Sequence, residues 1–175
     1  EVECLAVVDV LFRAGIGADL LSISDSLEVT SSHGIHLCCD ALASQVNLAD
    51  YALMFLPGGM PGTLNLGASA LVTDEVCRRS AAGQPLAAIC AAPSILAEHG
   101  ALQARHATAN PGFMDAIAAG GALMSEDAVV RDANLITSRG MGTSTELGFE
   151  IIRLLLGDGA EQVVSRVKQG IVYQR

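Results

Sequence analysis

The chain has no tryptophan, and only 3% of its 175 residues are aromatic, so a packed interior has to be assembled from aliphatic side chains. Charge is sparse as well. Asp, Glu, Lys and Arg make up 17%, and the ten basic residues are scattered, with Arg78–Arg79 the densest group, on an expected helix face. At a net charge of −9, this distribution excludes the clustered basic footprint that nucleic-acid binding needs. Long apolar runs are missing too. The longest, Leu86 to Ala97, is interrupted by Pro93, whereas a membrane-spanning helix needs about 20 apolar residues, so no membrane segment is expected. The opening Glu1-Val2-Glu3 lacks the basic-then-apolar layout of a secretory signal. The five cysteines (Cys4, Cys38, Cys39, Cys77, Cys90) contain no Cys-x-x-Cys pair, and His33, His36, His99 and His106 are dispersed. Neither a metal site nor a disulfide framework is expected, and reduced thiols in a cytoplasmic protein are the reading that follows.

What is present is a chain 51% apolar and of single-domain length, read as one domain over residues 1–175. Helical periodicity runs from Val2 to Phe12 and stops at Gly15. Short extended pieces are expected at Asp19–Ser24 and His36–Cys39. Tyr51–Leu56 is a near-continuous apolar run opening into Pro57-Gly58-Gly59, as a buried parallel strand does before a loop. A helix over Ser69–Ala82 and a strand over Pro85–Ile89 follow, then helical character over Ala91–His99. The rhythm continues with strands at His106–Ala109, Ala128–Arg131 and Asn134–Ser138, helices over Thr143–Leu156 and Ala160–Lys168, and an extended tail, Ile171-Val172-Tyr173. Strands alternating with helices of this length predict an α/β fold, a parallel sheet with helices on both faces.

The segment Pro85-Leu86-Ala87-Ala88-Ile89-Cys90-Ala91-Ala92-Pro93 carries the chemistry. A strand of small and apolar residues runs straight into a cysteine, and a helix follows across small residues only. That pattern describes a nucleophile elbow, whose small neighbours tolerate a strained backbone and leave the side chain exposed at the head of the helix. The helix N-terminus is expected to favour thiolate over thiol. Taken alone, a free cysteine is as often a small buried hydrophobe. Gly58-Gly59 falls at the carboxyl end of another strand, where open α/β sheets bind ligands and where backbone N–H groups can line an oxyanion hole. Glu3, by itself, reads as an acidic residue favoured in a helix's first turn.

Three strings occur together in order: Leu56-Pro57-Gly58-Gly59, Ala87-Ala88-Ile89-Cys90-Ala91-Ala92-Pro93, and Thr137-Ser138-Arg139-Gly140-Met141-Gly142-Thr143. In order and spacing they resemble the ThiJ/PfpI superfamily, in particular its branch of parkinsonism-associated protein deglycases and YajL-like proteins, over Glu1 to Tyr173. The resemblance implies a flavodoxin-like three-layer sandwich with a mostly parallel central sheet, and a homodimer. It places the reactive cysteine at Cys90 and its carboxyl partner at Glu3, with Gly58, Gly59 and Ala91 as backbone donors to an oxyanion. Asn110 and Pro111 fall where the family lines its substrate pocket. Many relatives carry a histidine or an aromatic residue at the position of Asn110, and an asparagine cannot act as a titrating base. The family also has a core strand before its glutamate. Because the sequence opens at Glu1, that strand is expected to be absent from the 175 residues.

The activity implied is a cofactor-independent glyoxalase or protein deglycase, acting on small α-oxoaldehydes or glycated protein and amino-acid adducts, in the setting of oxidative and carbonyl stress. One alternative is a redox sensor or chaperone that uses oxidation of Cys90 without turnover. Another is a cysteine peptidase or amidotransferase, which such relatives support with a histidine directly after the nucleophile or a His-x-Glu pair. Here Ala91 follows Cys90 and no His-x-Glu occurs.

Overall fold

All four residues of the strand Leu86–Ile89 are buried, a pattern available only to a strand covered on both faces. Its side chains alternate between two separate cores. Leu86 and Ala88 join Leu56, Val76, Leu96 and Ile117 on one side, while Ala87 and Ile89 join Val7, Val10, Ile136, Leu147 and Ile151 on the other. Period-two alternation between two apolar layers is what makes the molecule a three-layer α/β sandwich. Phe149 is the single aromatic among the largest fully buried side chains, the rest being mostly Leu and Ile, in keeping with the aromatic-poor composition.

The computed structural model describes residues 1–174. In chain order the elements are α1 (Val2–Arg13), β1 (Leu21–Ser22), β2 (Glu28–Thr30), β3 (His36–Cys38), β4 (Ala41–Leu42), β5 (Met54–Leu56), α2 (Gly62–Ala68), α3 (Ala70–Ala82), β6 (Leu86–Ile89), α4 (Pro93–Glu98), β7 (His106–Ala107), α5 (Met114–Ala119), β8 (Leu123–Met124), β9 (Val129–Asp132), β10 (Leu135–Ser138), α6 (Ser144–Leu156) and α7 (Ala160–Gly170). The main sheet has the order β5-β6-β10-β9, with β6 parallel to both neighbours and β9 antiparallel at the edge. Three two-stranded pairs surround it, β1 with β4, β2 with β3, and β7 with β8.

Register decides where the chemistry sits. Leu56 pairs with Ala88, and Ile89 pairs with Ser138. The residues that follow these three parallel strands, Pro57-Gly58-Gly59, Cys90-Ala91 and Arg139-Gly140, therefore emerge side by side at one edge of the sheet. Helix α1 is brought to the same edge by packing along α6. A β-carbon at Gly148 would stand 2.7 Å from Val10 Cγ1, so the α1–α6 approach depends on the missing side chain.

Arg79 contradicts its sequence context. It was expected on a helix face with Arg78, yet it is 1% exposed. Its guanidinium pairs with Glu75 at 2.6 Å and donates to the carbonyls of Leu48, Tyr51 and Pro85. Five fixed donors suit such a task, and a point-charge lysine would not serve it. The same bonds explain why β5 starts only at Met54. The backbone at Leu48 and Tyr51 is folded around Arg79, in and beside a 3₁₀ turn, instead of extending the ladder.

Other differences have local causes. The expected helix from Ala91 begins at Pro93, because Cys90 has a positive φ and proline's fixed φ suits a first helical position. The expected extended tail is a turn. Val172 has φ 55°, the Tyr173 N–H returns to the Lys168 carbonyl, and the Tyr173 ring packs edge-on against Phe149 at 5.2 Å. Helices α2 and α5 went unrecognised, since Gly62-Thr63-Leu64-Asn65-Leu66-Gly67-Ala68 reads as a loop by composition. No helix among the described residues is long and apolar enough to cross a membrane.

Candidate active site

Cys90 directly follows β6 and adopts φ 65°, a left-handed backbone conformation that costs a residue with a β-carbon about 1–3 kcal/mol. Both of its peptide groups are pinned. Its N–H donates to the Ser138 carbonyl at 2.9 Å, and its carbonyl accepts from the Asn110 N–H at 2.9 Å. The strain is thus held by the neighbouring strand on one side and by the loop after β7 on the other. The result is a half-exposed thiol at the carboxyl edge of the sheet, just ahead of α4.

Glu3 reaches this thiol from the first turn of α1. Its Oε2 accepts the Gly58 N–H at 3.0 Å. A β-carbon built on Gly58 would lie 2.6 Å from both Glu3 Oε2 and Cys90 Cβ, and 2.7 Å from the Ile89 carbonyl oxygen. Glycine is required there because the backbone itself fills the space between the Glu3 and Cys90 side chains. The other carboxyl oxygen, Oε1, is turned to Gly140, where a β-carbon would stand 4.0 Å from Glu3 Oε1, 4.0 Å from Cys90 Sγ and 3.7 Å from Asn110 Nδ2. Thiol, carboxyl and carboxamide therefore border one small space, left open by Gly140. Gly140 lies inside the third motif, but nothing in its local string marks it as lining the site. That motif is closed by its own hydroxyls. Thr143 Oγ1 bonds the Gly140 carbonyl at 2.8 Å and the Ser138 hydroxyl at 2.6 Å.

Two expectations about this site are corrected. Gly58 was expected to donate to an oxyanion, but its N–H is engaged by Glu3, whereas the backbone amides of Gly59 and Ala91 act on the sulfur by lowering its pKa. The thiol was also expected to be acidified. Burial pushes it up instead, to about 11, and the hydrogen bond and negative charge of Glu3 push in the same direction. The two amides pull it down without prevailing. The thiol that results has a raised proton affinity and stands beside the Glu3 carboxyl group.

Asn110 caps the 3₁₀ turn Pro111–Phe113, its Oδ1 accepting the Gly112 N–H at 3.1 Å. That bond leaves the Nδ2 end toward Gly140. Pro111, the next residue, is exposed at the start of the turn. Cys4, although next to Glu3 in sequence, is a partly buried thiol whose burial raises its pKa. No group of three or more His, Cys, Asp or Glu among the described residues could hold a metal ion.

A cysteine on a strained strand-to-helix turn, at the carboxyl edge of a largely parallel sheet and against a glutamate from the first helix, defines an α/β protein of the nucleophile-elbow type on a flavodoxin-like fold. The chain belongs to the DJ-1/PfpI family, which it matches over residues 1–154, the family to which its three motifs pointed. It is 34% identical to the protein dj-1beta of Drosophila melanogaster over 95% of this chain and 89% of that one. It is 29% identical to the glutathione-independent glyoxalase DJR-1.2 of Caenorhabditis elegans, covering 96% and 88%. The structure of oxidized Toxoplasma gondii DJ-1 superposes with a TM-score of 0.90 at 30% identity, covering 99% of this chain and 92% of that one.

Proposed function

We propose that this chain is a cysteine-dependent, cofactor-independent glyoxalase acting on small α-oxoaldehydes, with the same chemistry extending to glycated adducts as a deglycase. The observation that carries the reading is the shared space bordered by Cys90 Sγ, Glu3 Oε1 and Asn110 Nδ2. The similarity to a glutathione-independent glyoxalase supports the substrate class.

Because the thiol holds its proton at rest, Glu3 acts first as a base. Cys90 sulfur bonds the aldehyde carbon of methylglyoxal as Glu3 Oε1 takes the thiol proton, and that proton passes to the aldehyde oxygen to give a hemithioacetal. The Gly59 and Ala91 N–H groups stabilise the oxygen as its charge develops. Glu3 then removes the hydrogen of the former aldehyde carbon as the neighbouring ketone oxygen gains a proton, giving an enediol. A proton returns to the second carbon while the hydroxyl on the first gives up its own, leaving a thioester of lactate. Water cleaves the thioester, releasing lactate and restoring the thiol. The sum is addition of one water to methylglyoxal, with no net oxidation. The test is methylglyoxal consumption without glutathione. Cys90→Ser is expected to abolish it while leaving the fold intact, and full turnover in that variant would exclude the mechanism.

A second reading, redox sensing or chaperone action without turnover, is favoured by one comparison, the oxidized state of the Toxoplasma gondii relative. Oxygens added to Cys90 by peroxide would meet the Gly59 and Ala91 amides. A mass gain of about 32 Da confined to Cys90, with negligible glyoxalase rate, would favour it. We further propose that the chain works as a homodimer. Val2, Leu5 and Phe12 form an exposed apolar stripe on α1, with Phe12 78% exposed.

A further inference from the structure

A second cavity, of about 360 Å³, opens off the Gly58–Gly59 turn. It is lined by Gly58, whose backbone stands against Cys90 and Glu3, and by Gly59, so it opens beside the thiol site. Its lining mixes polar side chains with the glycines and proline of the turn at 58–62. Thr30, Ser31, Ser32 and Asn65 contribute three hydroxyls and a carboxamide, and Glu1 adds a carboxyl group. Ser32 Oγ stands 3.8 Å from the place a β-carbon of Gly59 would take.

The Glu1 side chain is only 11% exposed, and its Oε1 lies 2.8 Å from His33 Nδ1. A hydrogen bond from the Ser31 side chain lowers its pKa, against burial, so near neutral pH it is a carboxylate and can only accept hydrogen bonds. The hydroxyls and the Asn65 carboxamide both donate and accept. Such a set matches a row of aliphatic hydroxyls. The Glu1 charge repels anions. Size points the same way, because 360 Å³ equals roughly a dozen waters at about 30 Å³ each, far more than methylglyoxal fills.

We propose that this cavity is a substrate subsite for the hydroxylated carbon chain of sugar-derived α-oxoaldehydes, placing their aldehyde at Cys90. The inference rests on the glyoxalase reading for what happens at the sulfur. Recognition of the chain is a separate property and can be measured without turnover.

The experiment compares 3-deoxyglucosone, a six-carbon 2-oxoaldehyde with three hydroxyls, against methylglyoxal. Equilibrium binding of each is measured by calorimetry on Cys90→Ala, which cannot form the adduct. 3-Deoxyglucosone is expected to bind about ten-fold more tightly than methylglyoxal, the order expected from one or two added hydrogen bonds. Asn65→Ala and Ser32→Ala, each added to Cys90→Ala, are expected to cut that ratio about five-fold. Circular dichroism confirms that each variant is folded, and Ser165→Ala on the exposed face of α7 is expected to keep the ratio. Equal affinities, or a preference that survives both substitutions, would overturn the subsite. Absence of lactate from methylglyoxal in the wild-type chain would count against the glyoxalase reading alone, leaving the binding ratio to decide the subsite.

Discussion

The Gly58 N–H donates to Glu3 Oε2 at 3.0 Å, while the Cα of the same glycine leaves no room for a side chain beside Cys90 Cβ. One residue with no side chain thus orients the carboxyl group and sets its distance from the sulfur. Gly58→Ala is expected to lower kcat/KM for methylglyoxal about 100-fold, the scale of a displacement near 1 Å among reacting groups. It should also destabilise the fold by about 1–3 kcal/mol, as overpacking does. A thermal melt beside a rate measurement checks both. A wild-type rate in Gly58→Ala would mean that this approach is dispensable.

The raised thiol makes a prediction about pH. Alkylation of Cys90 by iodoacetamide, followed peptide by peptide, should keep rising with pH toward a midpoint of about 11. Because the Glu3 carboxylate disfavours the thiolate, Glu3→Gln should move that midpoint down. A midpoint that rose in Glu3→Gln would show that the carboxyl group stabilises the thiolate instead.

Buried Arg79 ties α3 to the segment before β5 and to the start of β6. Arg79→Met leaves Glu75 paired only with Arg78 and strips the donor from the carbonyls of Leu48, Tyr51 and Pro85. It is expected to cost about 1–3 kcal/mol, measured by urea unfolding. The Glu75 carboxyl is held below its ordinary value of 4.5, first by Arg78 and then by Arg79, against burial. A depressed carboxylate stabilises the fold above its unfolded pKa and loses that contribution as pH falls through the folded value. Stability should therefore fall as pH drops below about 4.5, and Glu75→Gln should flatten this part of the profile.

For the proposed dimer, Phe12→Glu places a charge in the exposed apolar stripe of α1. Sedimentation should give the mass of two chains for the wild type and of one chain for the variant. A two-chain mass for both would move the interface elsewhere, and a one-chain mass for the wild type would refute the dimer.

The parts of the site readable from sequence were those written as local strings at strand ends. Small residues around Cys90 announced the elbow, and parallel register then brought Pro57-Gly58-Gly59 and Arg139-Gly140 beside it. Glu3 was reached only through family resemblance, since a glutamate in a first helical turn has an ordinary electrostatic explanation. The Gly58–Glu3 bond spans 55 positions and leaves no periodic trace. The thiol's proton affinity was misjudged for a related reason. A helix N-terminus is visible in sequence, whereas burial and a carboxylate folded over the sulfur are tertiary. Arg79 was hidden likewise, because Cys77-Arg78-Arg79-Ser80 reads as a solvated face until the partner carbonyls of Leu48 and Tyr51 are located. Helix α2 carries too little apolar pattern to stand out, and it supplies Asn65 to the second cavity.

The central claim is that Cys90 and Glu3 act as one unit. Glutathione-free lactate formation from methylglyoxal, measured in Cys90→Ser, Glu3→Gln and the double variant, tests it most directly. The account predicts near-complete loss in each single variant and no further loss in the double, as coupled catalytic groups behave. Wild-type lactate formation in Cys90→Ser, or losses that simply multiply in the double variant, would contradict it.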